Sequence, residues 1–191
     1  MRIVLLGAPG SGKGTQAALL KEHFKIPHIS TGVLLREAVA RATPLGKRAK
    51  VIMDRGDLVP DAVMLDLIEE RLSAPDTARG FILDGYPRNI AQAESLDAVL
   101  DRLGRPVEEA VLIEVDPDLV VQRIARRGAE ESRSDDAEDV VRNRLRVYEE
   151  QTAPVAGYYA DQGLLTRVLG EGAIEEVQDR ILGMLSLGDH A

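Results

Sequence analysis

Residues Gly7-Ala8-Pro9-Gly10-Ser11-Gly12-Lys13-Gly14-Thr15 decide how the rest of this 191-residue chain is read. They follow a short apolar run, Ile3-Val4-Leu5-Leu6, and lead into a stretch with helical periodicity. Strand, glycine loop and helix in that order make an anion site. Backbone N–H groups converge on a phosphate only in conformations that side chains obstruct, and glycine permits them. The helix adds its positive N-terminal end, and Lys13 adds a point charge for β- and γ-phosphates. A plain glycine-rich turn is the competing reading, and the flanking strand and helix argue against it. In the general pattern a Ser or Thr directly follows the lysine and reaches Mg²⁺. Here Gly14 takes that position and Thr15 comes one residue later. Thr15 is therefore expected to serve phosphate, and the metal to find other support.

Outward from the loop, short apolar runs alternate with helical patterns, which predicts a parallel sheet with helices on both faces. Strands are expected at 2–6, 28–29, 81–83, 110–115 and 165–168. Helices are expected at 12–24, 32–41, 45–55, 61–72, 90–102, 117–126, 137–159 and 174–185. The fold class is α/β, a P-loop NTPase-type three-layer α/β/α arrangement with a five-stranded parallel sheet. Such sheets bind ligands at the carboxyl ends of their strands, where the glycine loop, Asp84 and the arginines after Val115 would gather. Two stretches break the alternation. Residues 30–59 insert two helices and end in Arg55-Gly56-Asp57-Leu58-Val59-Pro60. Residues 127–136 are polar and lack hydrophobic periodicity. The expected organisation is one domain, 1–191, with a core of 1–29, 60–126 and 137–191, a small helical substrate-binding insertion (30–59) and a short lid (127–136).

Composition narrows the partners. A formal net charge of −8 disfavours nucleic acid and anionic membranes, and with 3% aromatic residues few rings exist to stack bases. No apolar run reaches membrane-spanning length. The first apolar run is too brief for a signal peptide and flows into the glycine loop instead of a cleavage site. The chain has no cysteine, which excludes disulfides, a thiol nucleophile and cysteine-ligated zinc, and suits the cytoplasm. Within this acidic chain arginines recur in short stretches, as a local pocket for a small polyanion would require. His23, His28 and His190 show no ligand spacing and read as structural or exposed.

Phosphoryl transfer asks a protein mainly to align donor and acceptor, neutralise oxygen charge and exclude water. Several arginines and a closing lid are the parts to expect. Gly12-Lys13-Gly14-Thr15-Gln16 is followed by Ile29-Ser30-Thr31-Gly32 with Leu35-Arg36. Then come Gly80-Phe81-Ile82-Leu83-Asp84-Gly85-Tyr86-Pro87-Arg88 and Gln92, and finally Arg123, Arg127, Arg133-Ser134-Asp135-Asp136 and Arg144-Leu145. In these ordered motifs the chain resembles the adenylate kinases over essentially its full length.

The resemblance implies roles residue by residue. Gly10, Ser11, Gly12, Lys13, Gly14 and Thr15 would hold the ATP phosphates. Thr31, Arg36, the backbone of Asp57, Leu58 and Val59, then Gly85, Tyr86, Pro87, Arg88 and Gln92 would hold AMP in the 30–59 insertion and its surroundings. Arg127 would close over ATP, Arg133 and Arg144 would meet the transferring group and the AMP phosphate, and Arg123 would lie against the ATP adenine, bordered by Gly172. Lys13, Arg88, Arg123, Arg127, Arg133 and Arg144 would supply the catalytic charge. Asp84 would steady Mg²⁺ through water; as the bland alternative it caps a turn. Asp135-Asp136 reads as a lid hinge or helix cap before Ala137. Arg123 and Arg127 stand four apart, so a continuing helix puts both on one face. Arg41, Arg48, Arg71, Arg102 and Arg142 read as solvated charges.

The implied activity is reversible transfer of the ATP γ-phosphoryl group to AMP, giving two ADP, by a cytoplasmic monomer using Mg²⁺ and no structural zinc. Thr31 and Gln92 separate the chain from the similar UMP/CMP kinases, which usually carry Ala and Asn there. A UMP/CMP-type kinase is the alternative enzyme, and a non-catalytic nucleotide-binding regulator the alternative class. One departure stands out. The family's Ser-Thr-Gly-Asp is here Ser30-Thr31-Gly32-Val33, and valine cannot accept a hydrogen bond from a metal-bound water.

Overall fold

The structure, a computed structural model, describes residues 1–131 and 137–188. Five strands, β1 (Arg2–Leu6), β2 (His28–Ser30), β3 (Phe81–Asp84), β4 (Glu109–Glu114) and β5 (Leu165–Leu169), pair in parallel in the order β2-β3-β1-β4-β5. The expected five-stranded α/β sheet is therefore present. Nine α-helices connect and cover it among the described residues: α1 (Lys13–Phe24), α2 (Thr31–Ala40), α3 (Pro44–Met53), α4 (Asp61–Leu72), α5 (Ile90–Arg102), α6 (Pro117–Glu131), α7 (Glu138–Val147), α8 (Pro154–Asp161) and α9 (Ile174–Gly188).

The interiors of the central strands β1, β3 and β4 are apolar because side chains alternate between two covered faces. Val4, Leu6, Phe81, Leu83, Ala110 and Leu112 pack with Ile68 and Leu72 of α4, Leu96 and Val99 of α5, and Val155 and Tyr159 of α8. Ile3, Leu5, Ile82, Val111 and Ile113 face the other way, onto Ala17 and Leu20 of α1 and Val177, Ile181 and Leu185 of α9. Each buried Ile or Leu contributes about 1.5–3 kcal/mol relative to exposure. Burial on both faces thus holds the central strands. Register aligns Leu5 and Ser30 with Asp84 across neighbouring strands, so Asp84 stands at the carboxyl edge of the sheet beside the glycine loop.

Helix α2 starts directly after β2, with Ser30 as its cap: the Ser30 hydroxyl accepts from the Val33 N–H at 3.4 Å. α2 packs on α3 at Gly46, where an added Cβ would land on the Ala38 carbonyl of α2. Gly46→Ala is therefore expected to destabilise the chain by about 1–3 kcal/mol, as overpacking does. An unchanged denaturant midpoint would contradict that close approach.

Two helix expectations are corrected. α6 does not end at 126 but continues to Glu131. Arg, Ala and Glu are good helix formers, and this added turn needs no apolar stripe to form. The remainder of the expected lid, including Arg133, Asp135 and Asp136, lies outside the described residues. The single helix expected at 137–159 is in fact α7, a π turn at Tyr148–Thr152, and α8. Pro154 lacks an N–H and crowds the preceding turn, and the Ala153 N–H bonds to the Tyr148 carbonyl five residues back, at 2.8 Å. No described helix is long and apolar enough to cross a membrane.

Candidate active site

A cleft of about 830 Å³ opens at the carboxyl ends of the strands, with the glycine loop as its floor. Gly10, Ser11, Gly12, Lys13, Gly14 and Thr15 all line it. The loop needs its glycines for space as well as for conformation. Gly10 has φ +83°, and a Cβ there would stand 2.7 Å from Ile124 Cγ1 of α6. The Lys13 ammonium donates to the Gly7 and Ala8 carbonyls at 2.7 and 2.8 Å, closing the loop on itself. Burial lowers the Lys13 pKa to about 8; Asp84 works against that, while Arg88, Arg144 and Arg127 push the same way as burial. Three like charges aimed at one lysine describe a site suited to a polyanion.

Asp84 faces Lys13 across the cleft, its Oδ2 only 3.8 Å from where a Gly14 Cβ would be. His28 Nε2 lies 3.3 Å from the same oxygen. Burial alone would raise the Asp84 carboxyl. The His28 hydrogen bond and the charges of Lys13, His28 and Arg88 outweigh it and hold the group below the ordinary carboxylate range. His28, read from sequence as structural or exposed, thus enters the site. Nothing local in the sequence pointed to it, because the pairing spans 56 residues.

On one side Arg123 and Arg127, one turn apart on α6, both line the cleft, as the four-residue spacing predicts. Arg123 donates to the Gly170 carbonyl at 3.0 Å and lies 3.4 Å from the Ser11 carbonyl. It therefore spans the glycine loop and the 170–172 loop, where Gly172 also lines the cleft. Arg126 lines it too and was not anticipated.

On the other side a smaller pocket continues the cleft beneath α2 and α3, lined by Thr31, Arg36, Asp57, Leu58, Val59, Gly85, Arg88, Gln92 and Arg144. Thr31 donates to the Gly85 carbonyl at 2.8 Å. Gly85, at φ +82°, leaves that hydroxyl in place, since a Cβ would come within 2.6 Å of it. Arg88 is held at three points. Its Nε donates to the Gly85 carbonyl at 2.8 Å, its N–H to Gln92 Oε1 at 2.7 Å, and its carbonyl accepts from Thr152 Oγ1 at 2.7 Å. Thr152, in the π turn 64 residues away, also escaped sequence reading. Pro87 follows Tyr86 through a cis peptide and lines the cleft. Tyr86, in the same segment, packs its ring into the apolar core beside β3 and lines neither cavity. Arg41, Arg71, Arg102 and Arg142 make solvent-exposed ion pairs with Glu37, Asp76, Glu69 and Glu138, as expected of solvated charges.

Arg36, Arg88 and Arg144 line both cavities. A phosphate loop on a parallel sheet, joined by shared arginines to a second pocket, defines a P-loop phosphotransferase with two adjoining nucleotide sites. Comparison with known proteins narrows the class. The family model for adenylate kinase matches residues 5–164. The chain is 53% identical to the adenylate kinase of Stenotrophomonas maltophilia (strain K279a), over 97% of this chain and 99% of that one. It is 56% identical to the adenylate kinases of Xylella fastidiosa (strain 9a5c) and Xanthomonas campestris pv. campestris (strain 8004), each over 95% of this chain and 97% of the relative. The chain belongs to the adenylate kinase family.

Proposed function

We propose that this chain transfers the γ-phosphoryl group of ATP to AMP, reversibly, giving two ADP. The observation that supports the reading is the continuity of the two pockets through Arg88 and Arg144, cationic groups that line both cavities and could serve the phosphates of both substrates. ATP takes the glycine loop, with its adenine toward Arg123 and Gly172. AMP takes the pocket under α2 and α3, its base against Thr31 and Gln92 and its phosphate toward Arg36, Arg88 and Arg144. An AMP phosphate oxygen attacks the γ-phosphorus, the bond to the β–γ bridging oxygen breaks, and ADP leaves. That oxygen is already ionised, so no side chain must remove a proton. Lys13 and the arginines neutralise the charge that spreads over the transferring group. The insertion 30–59 and the lid 127–136 exclude water, with Arg133 of the lid meeting the transferring phosphoryl. The relatives compared above are named adenylate kinase, which leaves a UMP/CMP-type kinase or a non-catalytic regulator without support of its own. A coupled ADP-formation assay with ATP plus AMP, UMP, CMP or GMP, with and without Mg²⁺, tests the assignment. Preference for UMP or CMP would overturn it. The chain is read as a cytoplasmic monomer.

Mg²⁺ would come in with ATP and would neutralise part of the charge on its phosphates. Among the described residues no three His, Cys, Asp or Glu side chains gather as a metal cage. Mg²⁺ ordinarily keeps several waters, and Asp84, held ionised at the cleft floor, would accept a hydrogen bond from one of them. Val33 also lines the cleft and is 43% exposed, offering no acceptor. Val33→Asp is expected to lower the half-saturating Mg²⁺ concentration. An unchanged titration curve would reject the role of this position.

A further inference from the structure

The base-binding end of the smaller pocket contains a side chain whose orientation is set from outside it. Gln92 is 2% exposed, and its amide is engaged at both ends. Its Nε2 donates to Asp61 Oδ1 at 2.7 Å and its Oε1 accepts from the Arg88 N–H at 2.7 Å. Both partners are one-way: a carboxylate only accepts and a backbone N–H only donates. An amide turned over by 180° would set oxygen against carboxylate and NH₂ against N–H. The two contacts therefore select one orientation together. Asn89 closes the ring. It donates to both Asp61 oxygens at 3.1 and 3.2 Å, and its own Oδ1 accepts from the Gln92 N–H at 2.8 Å.

Orientation matters for what the pocket accepts. After these contacts a primary amide keeps one N–H and one oxygen lone pair. A 6-aminopurine offers the complementary edge, an amino donor beside the N1 acceptor. A 6-oxopurine offers the reverse, an oxygen beside an N1–H, which suits the amide only when turned over. We propose that Asp61 is a specificity-determining positioning residue, which makes the acceptor site prefer 6-amino over 6-oxo purine monophosphates by locking the Gln92 amide. The inference rests on the reading of this pocket as the AMP site.

Asp61 is well placed for this. It is the first residue of α4, separated only by Pro60 from the Asp57–Val59 segment that lines the pocket, and it reaches Gln92 across 31 residues. As the acidic residue in the first turn of α4 it also favours the helix dipole. A purely helix-stabilising role would change melting behaviour and leave acceptor choice alone, so specificity is the deciding readout.

The experiment compares kcat/KM for AMP and IMP at saturating ATP in the parent, Asp61→Ala, Asp61→Asn, Gln92→Ala and the Asp61→Ala/Gln92→Ala double variant, with melting temperatures. The expected result is a drop of about tenfold in the AMP:IMP ratio for Asp61→Ala, the size of one hydrogen bond to a charged group. It should appear mainly as a raised KM for AMP, with the KM for ATP unchanged. Asp61→Asn, which keeps an acceptor oxygen, should lose less. In the Gln92→Ala background, removing Asp61 should change the ratio no further, because the two act as one unit. A ratio within twofold of the parent in Asp61→Ala, while Gln92→Ala lowers it, overturns the proposal and leaves the AMP site standing. So does an additive loss in the double variant. A parent without preference for AMP, or a Gln92→Ala ratio equal to the parent's, overturns the AMP-site reading and the proposal with it.

Discussion

Lys13→Met is expected to lower kcat by about 10²–10³-fold, the usual cost of removing one well-placed charged donor from an electrostatic site. Methionine has comparable length and keeps the packing, but supplies no charge at the glycine loop. The same residue predicts a pH dependence. Folding moves the Lys13 pKa from 10.5 down to about 8, mainly by burial. Between those values the unfolded chain holds a proton that the native chain has released. The contribution of Lys13 to stability is therefore unfavourable below pH 8 and improves as pH rises from 8 to 10.5. Nucleotide binding has the opposite sign. A polyphosphate favours the protonated amine, so affinity should fall as pH climbs past about 8. Titrating nucleotide affinity from pH 7 to 10 in the parent and in Lys13→Met isolates the effect. The slope should vanish in the variant, and a parent curve that stays flat through pH 8–10 would show that Lys13 does not carry it.

Arg88→Ala should depress turnover by a similar factor, about 10²–10³, with little change in melting temperature. The residue is fixed at its N–H by Gln92, at its carbonyl by Thr152 and at Nε by Gly85, and its side chain lines both cavities rather than the core. Alanine keeps the backbone contacts and loses only the guanidinium. Arg88→Lys should recover a part, because an ammonium restores the charge but not the planar fork that matches phosphate oxygens. Steady-state kinetics together with a thermal melt decide the matter. Near-normal kcat in Arg88→Ala would remove Arg88 from the reaction.

Much of this site was legible in one dimension because its parts are local. The glycine loop is a contiguous string, the Gly85–Arg88 segment follows β3 directly, and Arg123 and Arg127 share a helix face through simple periodicity. Polar composition sets the expected end of α6 at 126 and the start of a short lid at 127, yet the helix runs on to Glu131, since Arg, Ala and Glu sustain a helix without an apolar stripe. Proline also outweighed periodicity near residue 154, and the π turn that precedes it is what brings Thr152 to Arg88. Tyr86 lay inside a binding motif, yet its ring was taken up by the core, where burying a large aromatic surface is more favourable than lining a polar cleft.

By itself, then, the amino-acid order determined the parallel sheet, the glycine loop with Gly14 after its lysine, and the arginines Arg36, Arg88, Arg123, Arg127 and Arg144 that line the cleft. Those features follow from apolar alternation, glycine geometry and charge, all of which act over a few residues. Tertiary structure alone decided how the polar groups are oriented. His28 meets Asp84, Thr152 meets Arg88 and Asp61 meets Gln92 across 56, 64 and 31 residues. Hydrogen bonds are directional and short-ranged, so no local pattern announces them. They exist only once the sheet and its helices have brought distant segments within about 3 Å.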